Sequence, residues 1–88
     1  MNKRLLCCAK LLKDKLTEIG SMFIIQRCSE FGIVQEYHRN NIDSKIIEHV
    51  VSSIPCQYRL ELGKDIIKVF LFQEKNIWIV RRWLKRLW

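Results

Sequence analysis

The sequence predicts an α+β fold, a small single domain spanning residues 1–88. Three observations lead there. Residues 5–19 repeat apolar side chains at helical spacing, residues 57–62 alternate apolar with polar, and residues 79–88 split into an apolar and a basic half when wound as a helix. The architecture expected is an N-terminal helix, a central helix, a three-stranded antiparallel meander and a C-terminal basic amphipathic helix.

The N-terminal helix places Leu5, Cys8, Ala9, Leu12, Leu16 and Ile19 on one stripe, which is either core or a dimer seam. Gly20 follows as a stop. Met22, Phe23, Ile24, Ile25 and Gln26 are too short an apolar run for a helix and read as a strand. Residues 31–39 fit a second strand, making a hairpin across Cys28, Ser29 and Glu30, or a short helix. Gly32, Ile33, Val34 and Tyr37 tilt this stretch toward strand. Asn40-Asn41 marks a loop, and Asp43 or Ser44 can cap the central helix. That helix should bury Ile46, Ile47, Val50, Val51 and Ile54 and stop at Pro55. Gln57–Leu62 reads as a strand with one wet face. Residues 63–65 are a turn, and Ile66–Phe72 is a central strand interrupted only by Lys68. Residues 77–80 would supply the third strand of the meander or lead straight into the terminal helix. Leu12, Leu16, Val50, Ile54, Leu60 and Phe70 are expected to be buried together.

Size and composition bound the rest. A chain of 88 residues forms one small core and hides only about 60–65% of its unfolded surface. The apolar share of 49% excludes a disordered polymer. No internal sequence repeat is apparent. The apolar run at residues 5–9 ends at Lys10, too soon for a secretory leader. No stretch has the length of a membrane span. Cys7, Cys8, Cys28 and Cys56 include no C-x-x-C pair, and His38 and His49 lack ligand spacing to them. The cysteines therefore read as reduced thiols. The setting expected is the cytoplasm, or the host cytoplasm or nucleus for a viral or eukaryotic chain. No metal, cofactor or catalytic residue is expected, since Gly20, Gly32 and Gly63 are isolated and form no phosphate loop.

Charge is the informative feature. The net charge is +7. Residues 1–15 hold five basic side chains against Asp14, and residues 81–88 hold four against none. Residues 16–80 hold seven basic and eight acidic. All the excess thus sits at the two ends of the chain. Such ends attract nucleic acid, an acidic protein surface or anionic lipid. In the terminal stretch Arg81, Arg82, Lys85 and Arg86 can neutralise phosphates, while Trp83 or Trp88 can stack on unpaired bases. Lys10 and Lys13 extend the candidate set to the other end. The function expected is a small basic accessory or regulatory protein that binds nucleic acid, RNA ahead of DNA, without catalysis. The same residues fit two other roles: an adaptor, chaperone or inhibitor using the terminal tryptophan face, with a homodimer compatible, or peripheral contact with an anionic membrane.

One enzymatic alternative rests on Arg59, Lys68, Arg81 and Arg82, with His49 nearby. If residues 31–39 are helical, the element order from Met22 to Val80 resembles that of the RelE-like ribosome-dependent mRNA-cleaving toxins. The resemblance implies basic side chains on a meander that stabilise the charge built up during RNA cleavage. The chain departs from that pattern in its N-terminal helix and in lacking a Tyr or His after the last strand.

Overall fold

The computed structural model describes residues 2–73. Six elements follow in the order α1 (Lys3–Glu18), β1 (Met22–Cys28), β2 (Gly32–His38), α2 (Ser44–Ser52), β3 (Gln57–Leu62) and β4 (Ile66–Phe72). Each helix is followed by an antiparallel hairpin, and the two hairpins join through their second strands. The result is one antiparallel sheet in the order β1-β2-β4-β3.

Local chemistry accounts for the element ends. Helix α1 begins two residues earlier than its apolar stripe suggests, because Asn2 accepts a bond from the backbone N–H of Arg4 at 2.7 Å. It ends in a Schellman arrangement. Gly20 takes φ +103°, its N–H reaches Thr17 O at 3.1 Å, and Ser21 N–H reaches Leu16 O at 3.0 Å. Asp43 caps α2 by accepting from Lys45 N–H at 2.8 Å. Asn40 and Asn41 both turn with positive φ, a conformation asparagine tolerates better than most residues.

Arg39, which the sequence does not single out, fastens this junction. Its guanidinium donates to Ile42 O, Gly63 O and Ser44 Oγ, at 2.9, 2.9 and 2.6 Å. The loop, the start of α2 and the β3–β4 turn are thereby tied to one side chain.

Residues 32–38 are a strand, which settles the open choice in favour of the hairpin. Strand alternation then decides which side chains meet the helices. Ile33 and Tyr37 on β2, with Ile67, Val69 and Leu71 on β4, pack against Leu5, Cys8, Leu12 and Leu16 of α1 and against Ile47 and Val51 of α2. The apolar run Phe23-Ile24-Ile25 does not alternate because the register shifts there. Phe23 pairs with Tyr37, whereas Ile25 pairs with Glu36. The bulge leaves Met22, Ile24 and Ile25 exposed along this edge strand.

Three expectations are corrected. The meander does not form as expected: β3 and β4 make its first hairpin, but β2 occupies the far side of β4, where a third strand would pair. Residues 77–80, and the terminal helix expected beyond them, lie outside the described residues. Ile46 is 49% exposed, because the face of α2 that reaches the sheet centres on Ile47 and Val51. Phe70 is buried, but not with Leu12, Leu16 and Ile54. Its strand neighbours Val69 and Leu71 take the helix side, so Phe70 points to the other face beside Val34. Val50 and Leu60 are half-buried at the rim of the main core.

Inside that core sits a closed polar network. Gln35, fully buried, donates through Nε2 to Ala9 O at 3.0 Å and to Gln26 Oε1 at 2.8 Å. Its Oε1 accepts from the Tyr37 hydroxyl at 2.6 Å. Both donors and the acceptor of the amide are used, so α1, β1 and β2 are pinned in one register without an orphaned polar atom.

Candidate nucleic-acid interface

Lys10 and Lys13, one end of the candidate surface, lie on α1 with three further basic residues, Lys3, Arg4 and Lys15. Their side chains leave the helix on two flanks. On the flank over β1, Lys10 forms an i,i+4 ion pair with Asp14 at 2.8 Å, and the Lys13 ammonium sits 4.2 Å from the centre of the Phe23 ring. On the flank toward α2, Arg4 donates to Pro55 O at 2.9 Å and Lys15 to Ser53 Oγ at 3.1 Å. These contacts differ in how easily they yield. The Lys10–Asp14 side chains are 73% and 59% exposed, and such surface pairs contribute only about 0–1 kcal/mol. A phosphate can take Lys10 from Asp14 at little cost. Lys13 is half-buried against an aromatic face and less free to leave. Arg81, Arg82, Trp83, Lys85, Arg86 and Trp88, the other end of the candidate surface, lie outside the described residues.

The sheet face turned away from both helices carries a second set of charges. Register places Glu36, Lys68 and Glu61 in one row across β2, β4 and β3. Arg27, Val34, Phe70 and Arg59 form the next row. Arg27 approaches Glu36 at 3.9 Å. The first row alternates in sign and the second is basic at both ends with an apolar middle. Val34 is 7% exposed and Phe70 1%, so this middle is shielded from water. The long stems of arginine can lie over such apolar neighbours. A cavity of about 160 Å³ opens here, lined by Arg27, Val34, Glu36, Lys68 and Phe70 among others. Sequence alone does not bring Arg27 and Glu36 together, because the bulge in β1 hides the alternation that puts them on one face.

Of the dispersed catalytic set, the described members are divided between the two faces of the sheet, and Arg81 and Arg82 lie outside the described residues. Arg59 and Lys68 share the far face of the sheet. His49 instead borders a surface depression with Tyr58, Leu60 and Leu62 on the helix side. With residues 32–38 in a strand, β1 is followed by its hairpin partner rather than by two helices, so the element order that carried the RelE-like resemblance is not met. Among the described residues no group of His, Cys, Asp and Glu is placed to hold a metal ion, and no helix is long and apolar enough to cross a membrane. The chain matches no protein-family model, and a search of curated proteins finds no relative.

Two buried acids have perturbed proton affinity. Burial, then the hydrogen bond and charge of the Cys56 thiol, push the Cys8 thiol from its ordinary 9.0 up to about 12. Arg4 acts the other way. Burial and the nearby Asp14 raise the Tyr37 phenol above its ordinary 10.0. In both cases the folded state holds the proton more tightly than the unfolded chain. Their stabilising effect is therefore complete below pH 9 and is lost as pH rises through the window between the two values. Denaturant melts in reductant should show stability falling above pH 9 by up to about 1.4 kcal/mol per pH unit from Cys8, with Tyr37 adding above pH 10. Cys8→Ala should remove the first part. Stability that stays level from pH 8 to pH 10.5 would contradict this burial of Cys8.

Proposed function

We propose that this chain is a small basic accessory protein that binds nucleic acid, single-stranded RNA ahead of DNA, through its two basic ends. The observation that carries the reading is the segregation of charge. The whole excess of +7 lies in residues 1–15 and 81–88, around a middle that is close to neutral. A basic polymer end with no interleaved acid can contact successive phosphates and release their counterions. Tryptophans at positions 78, 83 and 88 bring large stacking surfaces to the same stretch as four cations. The exposed Lys10, held only by a surface ion pair, supports a contribution from α1. Lys13 contributes less, since its ammonium already has Phe23.

Salt dependence tests the proposal. Each phosphate contact to a single strand releases roughly 0.7 of a counterion, so contacts from Arg81, Arg82, Lys85 and Arg86 give a log–log slope of about −3. Replacing the four with glutamine should flatten the slope by that amount, and Lys10→Gln should remove about 0.7 more. Trp83→Leu or Trp88→Leu should cost about 1–3 kcal/mol where the ring stacks on a base. An unchanged slope in the fourfold variant would sink the assignment of these residues.

A further inference from the structure

The sheet face turned away from both helices is not evenly open to water. An antiparallel sheet with helices on one side leaves its other side to solvent, yet burial here rises toward one end. Met22 and His38, paired where β1 begins, are exposed. Glu36 and Lys68 are half-buried, and Val34 and Phe70 are almost closed. Neighbouring side chains do not account for that closure. The Arg27 side chain is 64% exposed and reaches toward Glu36, Arg59 is exposed, and Gly32 brings no side chain beyond Val34. None of Phe31, Arg59, Lys68 and Phe70 is without a partner. The closed end is also where the chain leaves the sheet. Phe72 ends β4 there, paired with Gly32 on one side and Gln57 on the other, and residues 74–88 follow. Gln73, Glu74, Lys75 and Asn76 are polar, and Ile77, Trp78, Ile79 and Val80 are apolar.

We propose that this end of the far face is a docking site for the chain's own residues 77–80, with the Trp78 indole seated over Val34 and Phe70. The reach is sufficient. Four residues from Gln73 span up to about 13 Å when extended, and a layer packed on a sheet lies about 10 Å away. Phe70 is two residues, about 7 Å, back from the end of β4. The seat also has the right chemistry. The cavity of about 160 Å³ joins the apolar Val34 and Phe70 to the Glu36 carboxylate and the Ser29 hydroxyl. A buried tryptophan removes about 150–250 Å² from water and needs one acceptor for its N–H, which either oxygen group can supply. A segment tethered through so short a link meets the site at an effective concentration on the order of millimolar, ahead of a second copy arriving from solution. Docking fixes the root of the stretch that carries Arg81, Arg82, Lys85 and Arg86. It does not depend on what those cations bind.

The test uses the full chain without RNA, so its failure is separate from failure of the RNA reading. Trp83→Phe with Trp88→Phe leaves Trp78 as the one tryptophan. Its emission in native buffer should lie well to the blue of that in denaturant, and acrylamide should quench it several-fold less. A nitroxide then reports the location through the Trp78 indole N–H resonance. Attached at Arg27→Cys, beside Val34, it should broaden that signal beyond detection. Attached at the exposed Cys7 of α1, it should leave most of the intensity. In each case Cys28, Cys56 and the unused exposed thiol are changed to serine. Should the paired phenylalanines unsettle the fold, the chain with all three tryptophans gives the same reading, with Trp78→Phe assigning the signal. A solvent-exposed Trp78 in a folded chain, or broadening as strong from Cys7, would overturn the proposal. So would broadening that appears when nitroxide-bearing and isotope-labelled molecules are separate chains mixed together, since that would place a second copy on the face.

Discussion

Leu16→Ala is expected to destabilise this protein by about 2–5 kcal/mol in denaturant melts. Leu16 is fully buried on the last full turn of α1, in the cluster that also contains Leu12, Tyr37, Ile47 and Val69. Removing its side chain takes apolar atoms out of a packed interior and leaves a void that the neighbours can only partly fill. They belong to four elements fixed by hydrogen bonds of their own. A domain of this size holds only about 5–15 kcal/mol in reserve, so the loss is a large share of the total. Ile46→Ala, at a position half in solvent, should cost far less. A Leu16→Ala variant within about 0.5 kcal/mol of the parent would mean that α1 does not seat on the sheet as described.

Gln35→Ala is expected to cost about 3 kcal/mol or more. The change opens a void and strands the Tyr37 hydroxyl, whose acceptor at 2.6 Å is Gln35 Oε1. An orphaned buried hydroxyl costs about 1–3 kcal/mol and the void adds to it. Tyr37→Phe alone should cost about 1–3 kcal/mol, because it deprives the buried Gln35 oxygen of its donor. The two changes together should cost less than their sum by roughly 0.5–3 kcal/mol, since the second no longer orphans anything. Strict additivity would show that the 2.6 Å bond contributes nothing to the fold.

These residues also show where the sequence is legible. The apolar stripe of α1, its glycine stop, the cap at Asp43 and the β3–β4 hairpin are written in local spacing and can be read without tertiary information. The position of β2 between β1 and β4 cannot. Pairing of β2 with β4 joins residues as far apart as Gly32 and Phe72, whereas local spacing favours a meander of neighbouring strands. The bulge at Ile24 similarly breaks the period of two, which hides the far-face pair Arg27 and Glu36. Gln35 and Arg39 look like ordinary surface residues in sequence, because their value lies in partners brought from elsewhere in the chain. The charge segregation is fully legible, being a property of order along the chain. Which of its members hold intramolecular contacts is not, and Lys13 on the Phe23 ring is the clearest instance.

The central claim is that the basic ends recognise nucleic acid rather than lipid or an acidic protein. Its most direct test titrates the intact protein into a labelled single-stranded RNA and into vesicles containing anionic lipid, in parallel, from low salt up to about 150 mM, where charges beyond roughly 8 Å are screened. The account predicts RNA binding at low salt that weakens with a log–log slope of about −3 or steeper, and vesicle binding that RNA displaces. Vesicle binding that RNA fails to displace, or no RNA binding at the lowest salt, would contradict it.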